Sequence, residues 1–274
     1  MSNQYPLTAF LFDVDGVLTP IGKQPKVQNP YLFREITKRL RMGMPIGFNT
    51  GRSSIFLKEK VLDPLESGLE NKDLLDIVFA SGEKGAVVMQ YDDTQSLKQH
   101  VLYELSVPEI IKKEIQKLVE VEFALTMFWD ATKIAMASVE YKPGTPLDVF
   151  QTQRDALVEK LERIVHRHKL ETLFRVDPTP IATDVESVET GKDLGANAFV
   201  DFLEEKDIFP EYYITFGDAG SDYAMHQALL ERNLCSTLIF VGDPNELAGK
   251  DLEHVLFPDS RNDLGTLEFL KSQY

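Results

Sequence analysis

The stretch AFLFDVDGVLTP at residues 9–20 constrains this chain more than any other. Phe10, Leu11 and Phe12 form an apolar run that ends at Asp13; Val14 separates Asp13 from Asp15, and Gly16 breaks the pattern. An apolar run bounded by glycine suits a strand covered on both faces, as in the parallel sheet of an α/β domain. Ligands of such sheets bind beyond the carboxyl ends of the strands, so both acids are expected to face a crevice. Carboxylates this close repel each other unless a cation lies between them. With hard oxygen donors and a phosphate nearby, Mg²⁺ is the natural ion. The plainer alternative is a strand that ends in a solvated acidic turn.

The charge balance narrows the partners. Asp and Glu total 44 against 29 Lys and Arg, a net charge of −15, so the surface as a whole repels polyanions and nucleic acid is not an expected partner. An anionic substrate has to be drawn in by a local cluster of metal and basic side chains. The single cysteine, Cys235, is read as a small buried hydrophobe in a reducing compartment. The N-terminal residues lack a basic region followed by an apolar segment, and nowhere do apolar residues run on for a membrane span. A soluble, cytoplasmic protein is expected.

Further along, residues 19–30 suit a surface loop over the crevice, and residues 31–42 form a helix with Leu32, Ile36 and Leu40 on one face and Gly43 as C-cap. Ile46 and Phe48 alternate into a strand that stops at Asn49, Thr50 and Gly51, with Arg52 next. A hydroxyl, free backbone amides and a helix start from Ser53 can all donate to a phosphate; Thr50 or Ser53 as an ordinary N-cap is the simpler reading. Residues 74–80 read as a third strand.

From residue 85 the pattern changes to hairpin-like strands at 86–89, 97–103, 133–141, 172–176 and 181–188, interleaved with helices over 107–121 and 146–168. This predicts a compact α+β module, residues 85–189, inserted into a main domain of residues 1–84 and 190–274. His166 and His168 stand two apart, so they do not share a helix face, and a solvated basic terminus is expected there rather than a metal site. Trp129, Phe128 and Asp130 could line a sugar, although aromatic pairs more often serve a core or an interface.

The main-domain style resumes at Gly191 and Lys192, ahead of a helix with Leu194, Ala198 and Phe202 on a stripe. A lysine there can act as a point charge for phosphate, or be a surface residue. Residues 212–216 form another buried strand that runs into GDAGSDYAM, where a sharp turn can aim Asp218 and Asp222 at one point. A helix over 222–230, a parallel strand over 238–241 and a closing helix over 264–270 complete the chain.

Taken in order, these strand and loop ends supply an acid pair, a hydroxyl, a lysine and a second acid pair. The set resembles the haloacid dehalogenase (HAD) superfamily of phosphohydrolases: Asp13, Asp15 and Gly16 match its DxDG motif, Thr50 its second motif, Lys192 its third, and Gly217, Asp218 and Asp222 its GDxxxD motif. The insert resembles a C2-type cap, most similar to the sugar-phosphatase branch with Cof-type, sucrose-phosphate and trehalose-phosphate phosphatases. Ser221 stands where close relatives have Asn, and Val17 where Thr is more frequent.

The resemblance implies a Rossmann-like parallel core with an inserted cap, and an Mg²⁺-dependent phosphomonoesterase. Asp13 would be the nucleophile that forms an aspartyl-phosphate, and Asp15 the acid and then base. Thr50, Gly51 and Lys192 would hold the phosphoryl oxygens. Asp13, Asp218 and the Asp15 carbonyl would hold the metal, with Asp222 behind them. In this family the cap chooses the leaving group; Glu140, Lys142, Asp184 and Glu186, with Arg52, are the candidate substrate contacts, or else, for the cap residues, the solvated face of alternating strands. A small phosphorylated metabolite, a sugar or polyol phosphate, is the expected partner. A phosphomutase remains open, although TGR is not the serine-containing second motif typical of those proteins, as does a sugar-phosphate-binding protein without catalysis. A response-regulator receiver is shorter and has neither the insert nor the late GDxxxD.

Overall fold

A computed structural model of the chain describes residues 7–20 and 29–273. It divides into one unit of residues 1–100 with 191–274 and a second of residues 101–190. The N-terminal residues 1–6, and residues 21–28 of the loop expected over the crevice, lie outside the described part. Among the described residues no helix is long and apolar enough to cross a membrane.

The first unit begins with β1 (Thr8–Phe12), α1 (Pro30–Arg41) and β2 (Ile46–Asn49), followed by α2 (Ser54–Leu57), a π-turn and α3 (Asp63–Ser67). Then come β3 (Val78–Gly82), β4 (Val87–Tyr91) and β5 (Leu97–Val101). The second unit holds α4 (Glu109–Leu118), β6 (Met127–Trp129), β7 (Ala137–Tyr141), α5 (Leu147–Arg167), β8 (Phe174–Pro178) and β9 (Ala182–Ser187). The chain then returns to the first unit with α6 (Lys192–Glu205), β10 (Tyr212–Gly217), α7 (Tyr223–Glu231), β11 (Ser236–Phe240), β12 (Val255–Leu256) and α8 (Asn262–Ser272).

The main sheet has the order β12-β11-β10-β1-β2-β3-β4-β5, and its strands from β12 to β3 run parallel. β1 therefore lies between strands that continue the chain to opposite sides, and the crevice expected at such a switch point opens at its carboxyl end. Phe48, Phe12 and Phe216 stand side by side in the register of β2, β1 and β10. The Phe12 and Phe216 rings stack at 4.5 Å between centroids, and Phe12 and Phe48 at 6.0 Å. This apolar row fixes the three strands one residue before they deliver Asn49, Asp13 and Gly217. Val17 is fully buried in the same cluster and so serves packing.

Several boundaries differ from those expected. The insert starts at Val101 rather than at 85, because β4 pairs antiparallel with β3 and extends the main sheet. Residues 72–77 wind into a 3₁₀ turn, so β3 starts only at Val78. Strand β7 starts at Ala137; the Ala135 carbonyl instead receives the Val107 amide at 2.8 Å. On α6 Phe202 is buried as expected, together with Gly195, Ala196, Phe199, Val200 and Leu203, whereas Leu194 and Ala198 are only half-buried. Cys235 is exposed rather than buried, because it sits in the turn ahead of β11 and the buried apolar run begins beyond it.

The second unit is an antiparallel sheet of order β6-β7-β9-β8, packed on one face by α4 and α5. Ile111, Ile115, Phe150, Leu157 and Leu161 meet Val139 and Val185 in its core. Asp130 closes a turn by accepting from the Thr132 amide and hydroxyl, and His168 bonds Glu114 at 2.9 Å.

Candidate active site

Beyond the phenylalanine row, the chain turns sharply after Asp13. Gly16 adopts φ +73°, and a Cβ there would lie 1.9 Å from Asp218 Oδ2, so only glycine lets the first acidic loop approach the second. Asp218 follows Gly217 at the end of β10, and the carboxylate of Asp222 folds back so that Oδ2 accepts from the amides of Asp218 and Ala219, both at 3.0 Å. Its other oxygen, Oδ1, lies 2.9 Å from Lys192 Nζ. Ser221 is exposed.

Lys192 opens α6 and is buried. Its ammonium donates to Asp13 Oδ1 and, at 2.7 Å, to the Asn49 carbonyl. Burial pushes the lysine down, and Asp13 and Asp222 more than reverse it, so it stays a cation held above its ordinary value. Asp13 is pushed well above the carboxylate range by burial; Lys192 opposes this, while Asp222, Asp15 and Asp218 add to it. Asp218 is pushed up to about 7, by burial first and then by Asp222.

Asp13, Asp218 and Asp222 each offer an oxygen within 4.8 Å of the others. These are hard donors, and Lys192 alone does not satisfy them: the carboxyls of Asp13 and Asp218 are driven towards their protonated forms. A hard divalent cation such as Mg²⁺ fits this donor set and would replace the protons. Asp15 is oriented elsewhere. Arg52 holds it with two parallel bonds, Nε to Oδ2 at 2.8 Å and Nη2 to Oδ1 at 2.9 Å, and the guanidinium lies 5.0 Å from the centre of the Phe56 ring.

Thr50 is buried at the end of β2. Its hydroxyl accepts from the Arg52 amide at 3.2 Å, leaving its proton to donate. The loop from Thr50 to Arg52 is tied to the end of β3: the Glu83 amide donates to the Arg52 carbonyl and the Lys84 amide to the Thr50 carbonyl. Glu83 and Lys84 hold φ of 50° and 53°, and two consecutive non-glycine residues in the left-handed region store strain. The Lys84 carbonyl in turn receives the Gly191 amide at 2.9 Å, immediately before Lys192. Sequence reasoning missed this turn; the two glycines around Glu83 and Lys84 were its signal.

Asp13, Asp15, Thr50, Gly51, Arg52, Lys192, Asp218 and Asp222 all belong to the first unit, and Glu140, Asp184 and Glu186 to the second. There Glu186 is fully buried and bonds Arg175 at 2.8 Å, and Asp184 lies 3.6 Å from Lys133. Glu140 sits opposite Phe128 and Ala182 on the neighbouring strands.

The sequence matches no family model and no curated protein. Solved structures do match. The C-terminal domain of trehalose-6-phosphate phosphatase from C. albicans aligns over 97% of this chain and 91% of its own, with TM-score 0.69 and 19% identity. Thermoplasma acidophilum 0175 aligns over 98% of both chains, with TM-score 0.62 and 15% identity. An IMP-bound IMP-nucleotidase from Plasmodium falciparum aligns over 99% of this chain and 69% of its own, with TM-score 0.56 and 13% identity. At these identities the likeness is one of fold: a Rossmann-like core with an insert.

Proposed function

We propose that this chain, built on the fold of HAD-type phosphatases, is an Mg²⁺-dependent phosphomonoesterase that works through an aspartyl-phosphate. The observation that carries the reading is the contact of buried Asp13 with Lys192, one of whose neighbours is Asp222, beside Asp218. Three acids and one cation converging at a parallel-sheet switch point form a site for a charged, oxygen-rich group rather than a packed core. The structures it resembles include a trehalose-6-phosphate phosphatase and an IMP-nucleotidase, which supports phosphate esters as substrates. A sugar or polyol phosphate is the class we favour.

Lys192 holds Asp13 Oδ1, so attack on phosphorus falls to Oδ2. As the Asp13–phosphorus bond forms, the bond to the leaving alkoxide breaks and Asp15 gives that oxygen a proton. To carry this proton Asp15 gives up one of its two bonds to Arg52, which keeps the carboxyl aimed through the other. In the second half Asp15 takes a proton from water, which attacks the phosphoryl group and frees Asp13 and inorganic phosphate. The Thr50 hydroxyl donates to a phosphoryl oxygen where charge develops, and the Lys192 ammonium, held by Asp13, the Asn49 carbonyl and Asp222, supplies positive charge beside it. Bound at Asp13 and Asp218, Mg²⁺ would supply further neutralisation of that charge.

Phosphate release from a panel of sugar, polyol and nucleoside monophosphates, with Mg²⁺ or EDTA, tests the reading against Asp13→Asn protein. Metal-dependent release that the substitution abolishes supports it. Conversion of one sugar phosphate into its isomer without release would replace it with a mutase.

A further inference from the structure

Asn49 grips Lys192 at two points. Its main-chain carbonyl accepts from the Lys192 ammonium and its side-chain Nδ2 donates to the Lys192 main-chain carbonyl, both at 2.7 Å. Two features of the surroundings make sense only with this grip. Asn49 is fully buried, and its Oδ1 has no hydrogen-bond partner among the described residues, a costly state for an amide. Residue 195, inside α6, is glycine, which a helix interior disfavours; a Cβ there would lie 2.3 Å from Asn49 Oδ1. An apolar residue at 49 with alanine at 195 would fill the same space without either penalty.

We propose that Asn49 is a positioning residue for Lys192, which gives Gly195 its reason as well. Any residue at 49 could offer its carbonyl to the ammonium. The carboxamide adds a fixed distance between the end of β2 and the first turn of α6, and from that distance the lysine reaches Asp13 and Asp222 together. The role of Lys192 in turnover rests on the phosphatase reading; the grip itself does not.

The test compares full-length wild type, Asn49→Ala, Gly195→Ala and the double variant. Three quantities are read: melting temperature, kcat and KM on p-nitrophenyl phosphate, and the rate of Lys192 acetylation by a water-soluble succinimidyl ester, followed by mass spectrometry. Asn49→Ala is expected to lower kcat about 10- to 100-fold with little change in KM, and to speed Lys192 acetylation about tenfold as the lysine swings free. Gly195→Ala, which pushes the carboxamide aside, shifts both in the same direction. In the double variant the new methyl fills the vacated space, so melting returns towards wild type while kcat stays low and acetylation fast. Recovery of kcat together with melting would overturn the proposal, because Asn49 would then be mere filling. Unchanged acetylation in Asn49→Ala would overturn it too. Should wild type hydrolyse no phosphate ester, the phosphatase reading fails alone and acetylation still decides the grip.

Discussion

Arg52 meets Asp15 as a two-pronged fork, at 2.8 and 2.9 Å, beside a site in which Asp13 and Asp222 are buried and Asp218 is half-buried. A lysine cannot reproduce two parallel bonds. Arg52→Lys is expected to lower kcat/KM on p-nitrophenyl phosphate about 10- to 100-fold, because Asp15 loses its aim. The pair is partly exposed, so stability should move by less than about 1 kcal/mol. Steady-state kinetics and urea denaturation check the two halves separately.

Crowding of carboxylates in the metal-free site makes stability depend on pH. Asp218, raised by burial and by Asp222, binds its proton more tightly folded than unfolded. Its contribution is therefore full below its unfolded value of 3.8 and is lost as pH rises through about 7. The melting temperature in EDTA should include a falling component over this window, and the rise on adding Mg²⁺ should grow over the same window as protons give way to the cation. Asp218→Asn should remove most of both effects. A melting increment with Mg²⁺ that does not change with pH would contradict this account.

His226 works in the opposite sense. It is fully buried, its Nδ1 lies 2.8 Å from Ser236 Oγ, and burial first and His254 second push it below its ordinary value of 6.5. A folded state that keeps this ring neutral loses stability as pH falls below 6.5 towards the lowered value. His226→Gln should cost stability at neutral pH yet flatten the acid side of the melting curve. Thermal scans of both proteins from about pH 5 to about pH 8 separate this slope from that of Asp218.

The left-handed turn at Glu83 and Lys84 offers a backbone test. Asparagine tolerates positive φ, whereas a β-branched side chain does not. With Lys84 at φ 53°, Lys84→Val should be less stable than Lys84→Asn by about 1–3 kcal/mol. Urea denaturation of the two variants measures the difference without needing any activity.

Much of this architecture is written in short motifs. Apolar runs that end in acids or small polar residues, at residues 9–15, 46–50 and 212–218, announced the parallel strands and the edge at which they converge. What those runs could not disclose was pairing. Residues 86–89 read as a strand of a new module, and only the antiparallel bonds from β3 to β4 assign them to the main sheet. The missed site features are likewise contacts between distant segments. That Asn49 grips Lys192, or that Arg52 forks Asp15, depends on loop geometry to which no local period corresponds. Cys235 shows the limit of composition: burial follows position relative to a strand end, and residue type is only a prior.

The bond from the Gly191 amide to the Lys84 carbonyl bears on how such a protein can change over generations. It stitches the chain leaving the insert to a turn that precedes the insert, so the first unit closes its own seam. The entropy lost in tying off an insertion grows only logarithmically with its length. An inserted module can therefore lengthen, shorten or be exchanged at little entropic cost while Lys192 stays beside Asp13 and Asp222.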